Sequence, residues 1–297
     1  MDPRLCEIID SLASDMSSGA SEMLSSVLNS LLAIPDDELA SIPVSEWEEF
    51  AIRVHKAKPS IAPLFNVANA IMLQVEHGSH GSCLIRDTLM EMLDRERRSS
   101  TRIAELATKM VKGEWLVTTS YSSTVGQVLK TLHRSRPLRV TVAEASPGGE
   151  GRLFAKKLSE LGMECEVIHD STLFARMAEA DGAITGADSL TPTGLVNKVG
   201  TRVLVEAARA HELPAHAVCG WSKTCPVVLS DLIVSRKELG PRLSEHVQVF
   251  ESSPLELFTT ILTDQGPLSP SDLRMELGVR KIARGWYSRG VLTKPQA

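Results

Sequence analysis

Three side chains that stand close together in the chain are of the types needed to hold a phosphorylated polyol. They are the carboxylate of Asp188, the amide of Asn197 and the ammonium of Lys198. Asp188 lies in Gly186-Ala187-Asp188-Ser189-Leu190, just past a short apolar run, and Asn197-Lys198 precede Gly200-Thr201, which read as the opening of a helix. A cation beside free helix N–H groups can hold a phosphate while the carboxylate faces hydroxyls. The plainer alternative is a turn in which Asp188 caps the backbone and Lys198 is solvated. A second loop, Ser146-Pro147-Gly148-Gly149-Glu150-Gly151-Arg152, also feeds a helix and could offer N–H groups to an anion. It lacks the Gly-Lys-Ser/Thr of a Walker loop, and Phe154 sits where a dinucleotide fingerprint needs its third glycine. An ordinary tight turn between strand and helix accounts for it equally well.

The elements that position these loops follow from periodicity. Residues 1–112 read as helices: Leu24, Val27, Leu28, Leu31 and Leu32 recur at helical spacing, and breakers at Pro35, Pro43, Pro59 and Gly78 mark the ends. From residue 113 short β-rich runs alternate with helical segments: Trp115–Thr119, Arg139–Glu144, Glu164–His169, Gly182–Thr185, His216–Cys219 and a late strand near Val247–Phe250. That alternation predicts a Rossmann-like, doubly wound, mostly parallel sheet in an α/β fold. The expected division is a helical N-terminal domain over 1–112 and the Rossmann-like domain over 113–297. Such sheets bind ligands at the carboxyl ends of their strands, which directs attention to the loops after Thr119, Glu144, His169, Thr185 and Cys219.

Composition excludes several classes. The chain has 297 residues, a net charge of −5, 43% hydrophobic and 4% aromatic residues, enough apolar material for a sizeable core and too little positive charge for whole-surface nucleic-acid binding. No run of about 18 uncharged apolar residues is present, so no membrane span is expected. The acidic start carries no signal-peptide pattern. Five scattered cysteines without a CxxC fit a reducing cytoplasm, with Cys165 and Cys219 as small core residues. His77, His80 and Cys83 have ligand-like spacing but no fourth partner, and a glycine-rich interhelix loop explains them better than a metal. No cofactor is expected. The tail over 271–297 carries Arg274, Arg280, Lys281, Arg284, Arg289 and Lys294 around Trp286 and Tyr287. That mixture suits either an RNA or translation-factor contact or a helix packing Ile282, Trp286 and Leu292 onto a neighbour.

The stretch from Val140 to Thr201 resembles the core of the translation initiation factor 2B alpha/beta/delta family, whose superfamily includes ribose-1,5-bisphosphate and methylthioribose-1-phosphate isomerases. The resemblance is carried by Glu144-x-x-Pro147 with Gly151-Arg152, Asp170-Ser171, Gly186-Ala187-Asp188 and Asn197-Lys198-x-Gly200-Thr201. Outside that core, Gly19-Ala20-Ser21 resembles the family's early phosphate loop, and Lys58-Pro59-Ser60 with Asn66 its Arg-Pro-Thr segment. Lys223 resembles its lysine after a strand, and Ser253-Pro254 through Gln265-Gly266 its closing segment. The resemblance implies a sugar-phosphate or nucleotide pocket between the two halves and a homodimer or higher assembly. It places Gly19, Ala20, Ser21, Lys58, Glu144, Asn197, Lys198 and Lys223 at the ligand and makes Asp188 the family's catalytic aspartate.

One departure limits the chemistry. The isomerases place a cysteine in the loop after the first strand of the second domain, where this chain reads Thr118-Thr119-Ser120-Tyr121-Ser122. A thiol, with a pKa near ~8.5, ionises in a modest environment, whereas a serine hydroxyl needs a dedicated base. Ser120, Tyr121 and Ser122 can still hydrogen-bond a sugar. Lys58 in place of an arginine also loses a bidentate grip. The expectation is a protein that binds a phosphorylated sugar or nucleoside monophosphate without the cysteine-dependent reaction. The alternatives are an aldose–ketose isomerase relying on Asp188 with Ser120 orienting the substrate, or a regulatory subunit that meets the translation machinery.

Overall fold

A computed structural model describes residues 1–15, 18–77, 82–228 and 234–293. Of the residues considered as metal ligands, His80 and the side chain of Cys83 lie outside that description, as does Lys294 of the tail. Six helices come first: α1 (Pro3–Ser14), α2 (Ala20–Leu32), α3 (Asp36–Ser41), α4 (Val44–Ala57), α5 (Ala62–Glu76) and α6 (Ser82–Met110). The helical stripe read from the sequence packs inward, Leu24, Val27, Leu28 and Leu31 joining Leu5, Phe50, Leu64 and Leu89 in one apolar core. Prolines start helices here: Pro3 and Pro63 occupy first-turn positions and Pro43 precedes α4. No described helix is long and apolar enough to cross a membrane.

The second half runs β1 (Trp115–Thr119), α7 (Ser123–His133), β2 (Arg139–Ala143), α8 (Glu150–Glu160), β3 (Glu164–Ile168), α9 (Leu173–Met177), β4 (Gly182–Thr185), β5 (Ser189–Thr191), β6 (Gly194–Lys198), α10 (Thr201–Ala210) and β7 (Ala215–Val218). It continues with β8 (Val234–Gly240), β9 (Leu243–Gln248), β10 (Phe250–Ser253), β11 (Thr260–Thr263), β12 (Gly266–Leu268), α11 (Pro270–Gly278) and α12 (Gly285–Ser288). The main sheet has the order β12-β11-β7-β4-β1-β2-β3 and is parallel except for β12. The chain leaves β1 towards β2 and β3, then returns to place β4 on the other side of β1. The loops after β1 and β4 therefore diverge and leave a crevice at the carboxyl edge.

The expectation of an α/β chain with a mostly parallel sheet holds, with corrections to the elements. The single late strand expected near Val247–Phe250 is the end of β9 and the start of β10. Strands β8 and β9 form a hairpin, exposed over most of its length, in which Arg236-Lys237-Glu238 carry no apolar alternation. Gly200 and Thr201 open α10 as read, while Asn197 and Lys198 just before them end a strand, β6, that the alternation did not show; β6 lies between β5 and β10 in a small antiparallel sheet.

The tail closes on the helical half. Trp286 is wholly buried with Phe65, Met72 and Ala283. Asn69 accepts from the Trp286 indole at 3.0 Å and the Ala283 N–H at 2.9 Å, and donates to the Lys281 carbonyl at 3.0 Å. Arg274 donates to the Pro192 carbonyl and pairs with Glu256, Arg280 donates to the Thr224 carbonyl, and Arg289 pairs with Glu48. Of the two readings of the tail, the packing one describes Trp286, whose indole is turned inward, and these three arginines have partners within the chain.

Candidate functional site

The crevice is a cavity of about 310 Å³, at the lower end of the range for small-molecule sites. One wall comes from the loop after β1. Ser120 closes the strand at φ 62, a left-handed conformation that an L-residue other than glycine adopts at a cost. Ser122 then caps α7 by accepting from the Val125 N–H at 3.3 Å. The facing loop follows β4. A Cβ at Gly186 would collide with the Ser122 hydroxyl, so only glycine lets the two loops lie this close.

Beyond Gly186 the backbone N–H of Asp188 donates to the Val196 carbonyl at 2.9 Å, tying Asp188 to β6. Burial raises the pKa of its carboxyl, and the Lys223 and Lys198 ammonium groups oppose the rise without cancelling it. Asn197 donates to Thr185 Oγ1 at 3.2 Å and Thr201 Oγ1 at 2.9 Å, committing its amide N–H groups to the protein and leaving its carbonyl oxygen. Lys198, 7% exposed, donates from Nζ to Glu150 Oε1 at 2.8 Å. Lys223 projects from a short turn after β7, Trp221–Lys223. Asn66 holds that turn by donating to the Ser222 carbonyl at 2.6 Å and the Thr224 carbonyl at 2.9 Å. Lys223 is only 6% exposed, lines the cavity and has no hydrogen-bond or ion-pair partner for its ammonium among the described residues.

The helical half supplies the remaining wall. Gly19, Ala20 and Ser21 begin α2 at the cavity, and Lys58 donates to the Asp15 carbonyl at 2.6 Å. Of the residues singled out from the sequence, Gly19, Ala20, Ser21, Lys58, Ser120, Tyr121, Ser122, Asp188, Asn197, Lys198 and Lys223 all line this one cavity.

Glu144 does not. Its carboxylate turns to Arg152 at 2.5 Å and to His169 Nδ1 at 2.8 Å, and these contacts, the His169 one first, hold its pKa below the usual carboxylate range. At the two helix starts that could cradle an anion, several backbone N–H groups are already taken by partners within the chain. The N–H groups of Gly149, Gly151 and Arg152 meet the carbonyls of Ala145, Glu144 and Gly149, where Gly149 caps α8 and Gly151 and Arg152 lie in its first turn. At α10 the Arg202 N–H donates to Glu251 Oε1 at 2.9 Å.

Sequence reasoning missed Asp15, Glu150, Leu153, Lys157 and Phe250 as lining residues. Three of these were within reach: Glu150, Leu153 and Lys157 recur at helical spacing and define one face of α8. Lys157 donates to the Tyr121 hydroxyl at 3.0 Å, and the Tyr121 ring stands edge-on to Phe154 with centroids 5.3 Å apart. Among the described residues no thiol lines the cavity. Cys219 sits one turn before Lys223 but is wholly buried, and burial pushes its pKa up to about 12.

The fold is that of a mostly parallel α/β sheet protein with a cavity at the switch point of the sheet. The family model of the Initiation factor 2 subunit family matches residues 13–270, and the chain belongs to that family. Among its relatives, an eIF-2B subunit 2-like protein of Pyrococcus abyssi is 26% identical over 272 residues, covering 90% of this chain and 97% of the relative. A ribose 1,5-bisphosphate isomerase of Archaeoglobus fulgidus is 27% identical over 228 residues, 72% of this chain and 73% of the relative. The crystal structure of the Pyrococcus horikoshii translation initiation factor eIF-2B is similar with a TM-score of 0.78 and 27% identity, covering 91% of this chain and 98% of that one.

Proposed function

We propose that the cavity binds a phosphate ester of a sugar or a nucleoside, and that it does so without thiol-dependent isomerisation. The observation that carries this reading is Lys223: an ammonium almost sealed from water, facing a cavity, with no counter-ion bonded to it. A buried cation whose neighbouring carboxyl, Asp188, is itself pushed towards the neutral form by burial is expensive unless a ligand neutralises it. A phosphate is the anion that fits, because Asp188 and the Asn197 carbonyl lie in the same cavity to receive the hydroxyls of the attached sugar. Ser120 stands where the isomerases carry their cysteine and has no histidine within hydrogen-bond reach among the described residues, so it orients a ligand and does not attack it. Assembly of this chain with a second copy belongs to the same reading.

A second reading is favoured by the raised pKa of Asp188. A carboxyl poised towards neutrality can pass a proton between the neighbouring carbons of an aldose phosphate, the acid–base half of an aldose–ketose isomerisation. The experiment that tests both is a thermal-shift panel that pairs each sugar phosphate or nucleoside monophosphate with its dephosphorylated form. Stabilisation by the phosphorylated partner alone is expected, since a ligand bound only by the native state raises its melting temperature. No response to any phosphorylated compound overturns the binding reading. Conversion of ribose 1,5-bisphosphate that stops in Asp188→Asn replaces it with the isomerase reading.

A further inference from the structure

Lys198, the second lysine of the cavity, differs from Lys223 in already having an anion. Its Nζ donates to Glu150 Oε1 at 2.8 Å, and the two partners are unequal: the Lys198 side chain is 9% exposed and that of Glu150 41%. The lysine is fixed in the wall; the glutamate reaches it from the rim, off the first turn of α8. Its carboxylate lies against Gly148, where any side chain would collide with it, so the turn leaves room for the carboxylate to fold inward. The fit is incomplete. Oε2 is buried and has no hydrogen-bond partner among the described residues, whereas a carboxylate at rest ordinarily fills both oxygens.

We infer that Glu150 is a built-in competitor anion for Lys198, which a ligand must displace to bring its phosphate to both lysines. This rests on the phosphate-ester reading above and adds a selectivity rule to it. A group with one negative charge exchanges one carboxylate-like contact for another and gains little. A phosphate monoester, doubly charged above its second pKa of about 6, attracts Lys198 and Lys223 together and repels the glutamate, which has solvent to swing into. The cavity therefore selects terminal phosphate monoesters over phosphodiesters and carboxylates. The exchange lowers the apparent affinity of the wild-type protein, because the binding-competent arrangement is the one with Glu150 out.

Calorimetric titration of the full chain with inorganic phosphate and with ribose 5-phosphate tests the assignment. Glu150→Gln and, independently, Glu150→Ala are each expected to bind both probes at least fivefold more tightly than wild type, and this gain is expected to vanish in a Lys198→Met background. Unchanged or weaker binding in both variants, with the wild type binding normally, overturns the inference and leaves the phosphate reading standing. A gain that survives Lys198→Met overturns it too, because the competition would then not be for that lysine. Failure of wild type and all variants to bind either probe overturns the phosphate reading, and this inference with it.

Discussion

The indole N–H of Trp286 donates to the side-chain oxygen of Asn69 at 3.0 Å, joining residues 217 positions apart in the chain. The same oxygen receives the Ala283 N–H, so one amide on α5 takes two donors of the returning tail, and Glu76 on the same helix takes the Gly285 N–H. Just before this anchor, Arg280 donates to the Thr224 carbonyl at 2.8 Å, which Asn66 also reaches, next to Lys223. The tail is thus a strap between the helical half and the turn that carries the buried lysine.

Removing the anchor has two separable costs. Trp286→Ala empties a fully buried aromatic site and is expected to lower unfolding stability by about 3–5 kcal/mol. Asn69→Leu keeps the volume but strands the indole and Ala283 donors, at about 1–3 kcal/mol each. Urea unfolding of the two variants measures both, and a change below about 1 kcal/mol for Trp286→Ala contradicts the strap.

Ser120 holds a left-handed backbone at the cavity wall. Such a conformation costs a non-glycine residue about 1–2 kcal/mol, while glycine loses about 0.4–1 kcal/mol through its freer unfolded chain. Ser120→Gly is therefore expected to stabilise the ligand-free protein by about 0.5–1 kcal/mol and to weaken sugar-phosphate binding through loss of the hydroxyl. Ser120→Val, β-branched at the same φ, is expected to destabilise. Thermal unfolding and calorimetry on the pair give the signs.

Asp188 makes a prediction in pH. Its folded pKa is raised by burial, so the folded state binds more protons than the unfolded one as pH climbs from the unfolded value of about 3.9. Stability falls across that interval and levels off above the folded pKa. Asn mimics the protonated acid. Asp188→Asn is expected to be more stable than wild type at neutral pH, with the gain shrinking to nothing as pH drops towards 4. Denaturant titrations at several pH values check it; a gain independent of pH contradicts the assignment.

Much of this arrangement was legible in the residues, and what was not has physical reasons. The parallel strands were readable because β1, β2 and β4 are apolar runs punctuated by turns. The loops that end them place Ser120 and Asp188 along the wall of the cavity. β8 and β9 were hidden because an exposed hairpin needs no apolar face. Glu144 was assigned to the ligand because its position matched a motif, but position in a motif does not fix where a side chain turns, and Arg152 and His169 settle that. Leu153 and Lys157 carry no loop signal because they belong to a helix face, and Glu150, although it stands in the glycine-rich turn, reaches the cavity with its side chain and not through the turn's N–H groups. The inward packing of Trp286 was one of two readings of a basic, aromatic tail, and only its partner on α5 distinguishes them.

On the phosphate-ester reading proposed above, Lys223 is a cation kept buried for an incoming phosphate. Lys223→Met removes the charge while retaining most of the side-chain volume, and replacing a buried charge by an apolar group is often neutral or stabilising by about 1–4 kcal/mol. Side-by-side calorimetry and denaturant unfolding of wild type and Lys223→Met, with ribose 5-phosphate as probe, give the decisive pair of numbers. The predicted result is a variant at least as stable as wild type without ligand whose affinity for the phosphate ester falls at least a hundredfold, about 2.7 kcal/mol. A variant that binds the ester as tightly as wild type contradicts the account.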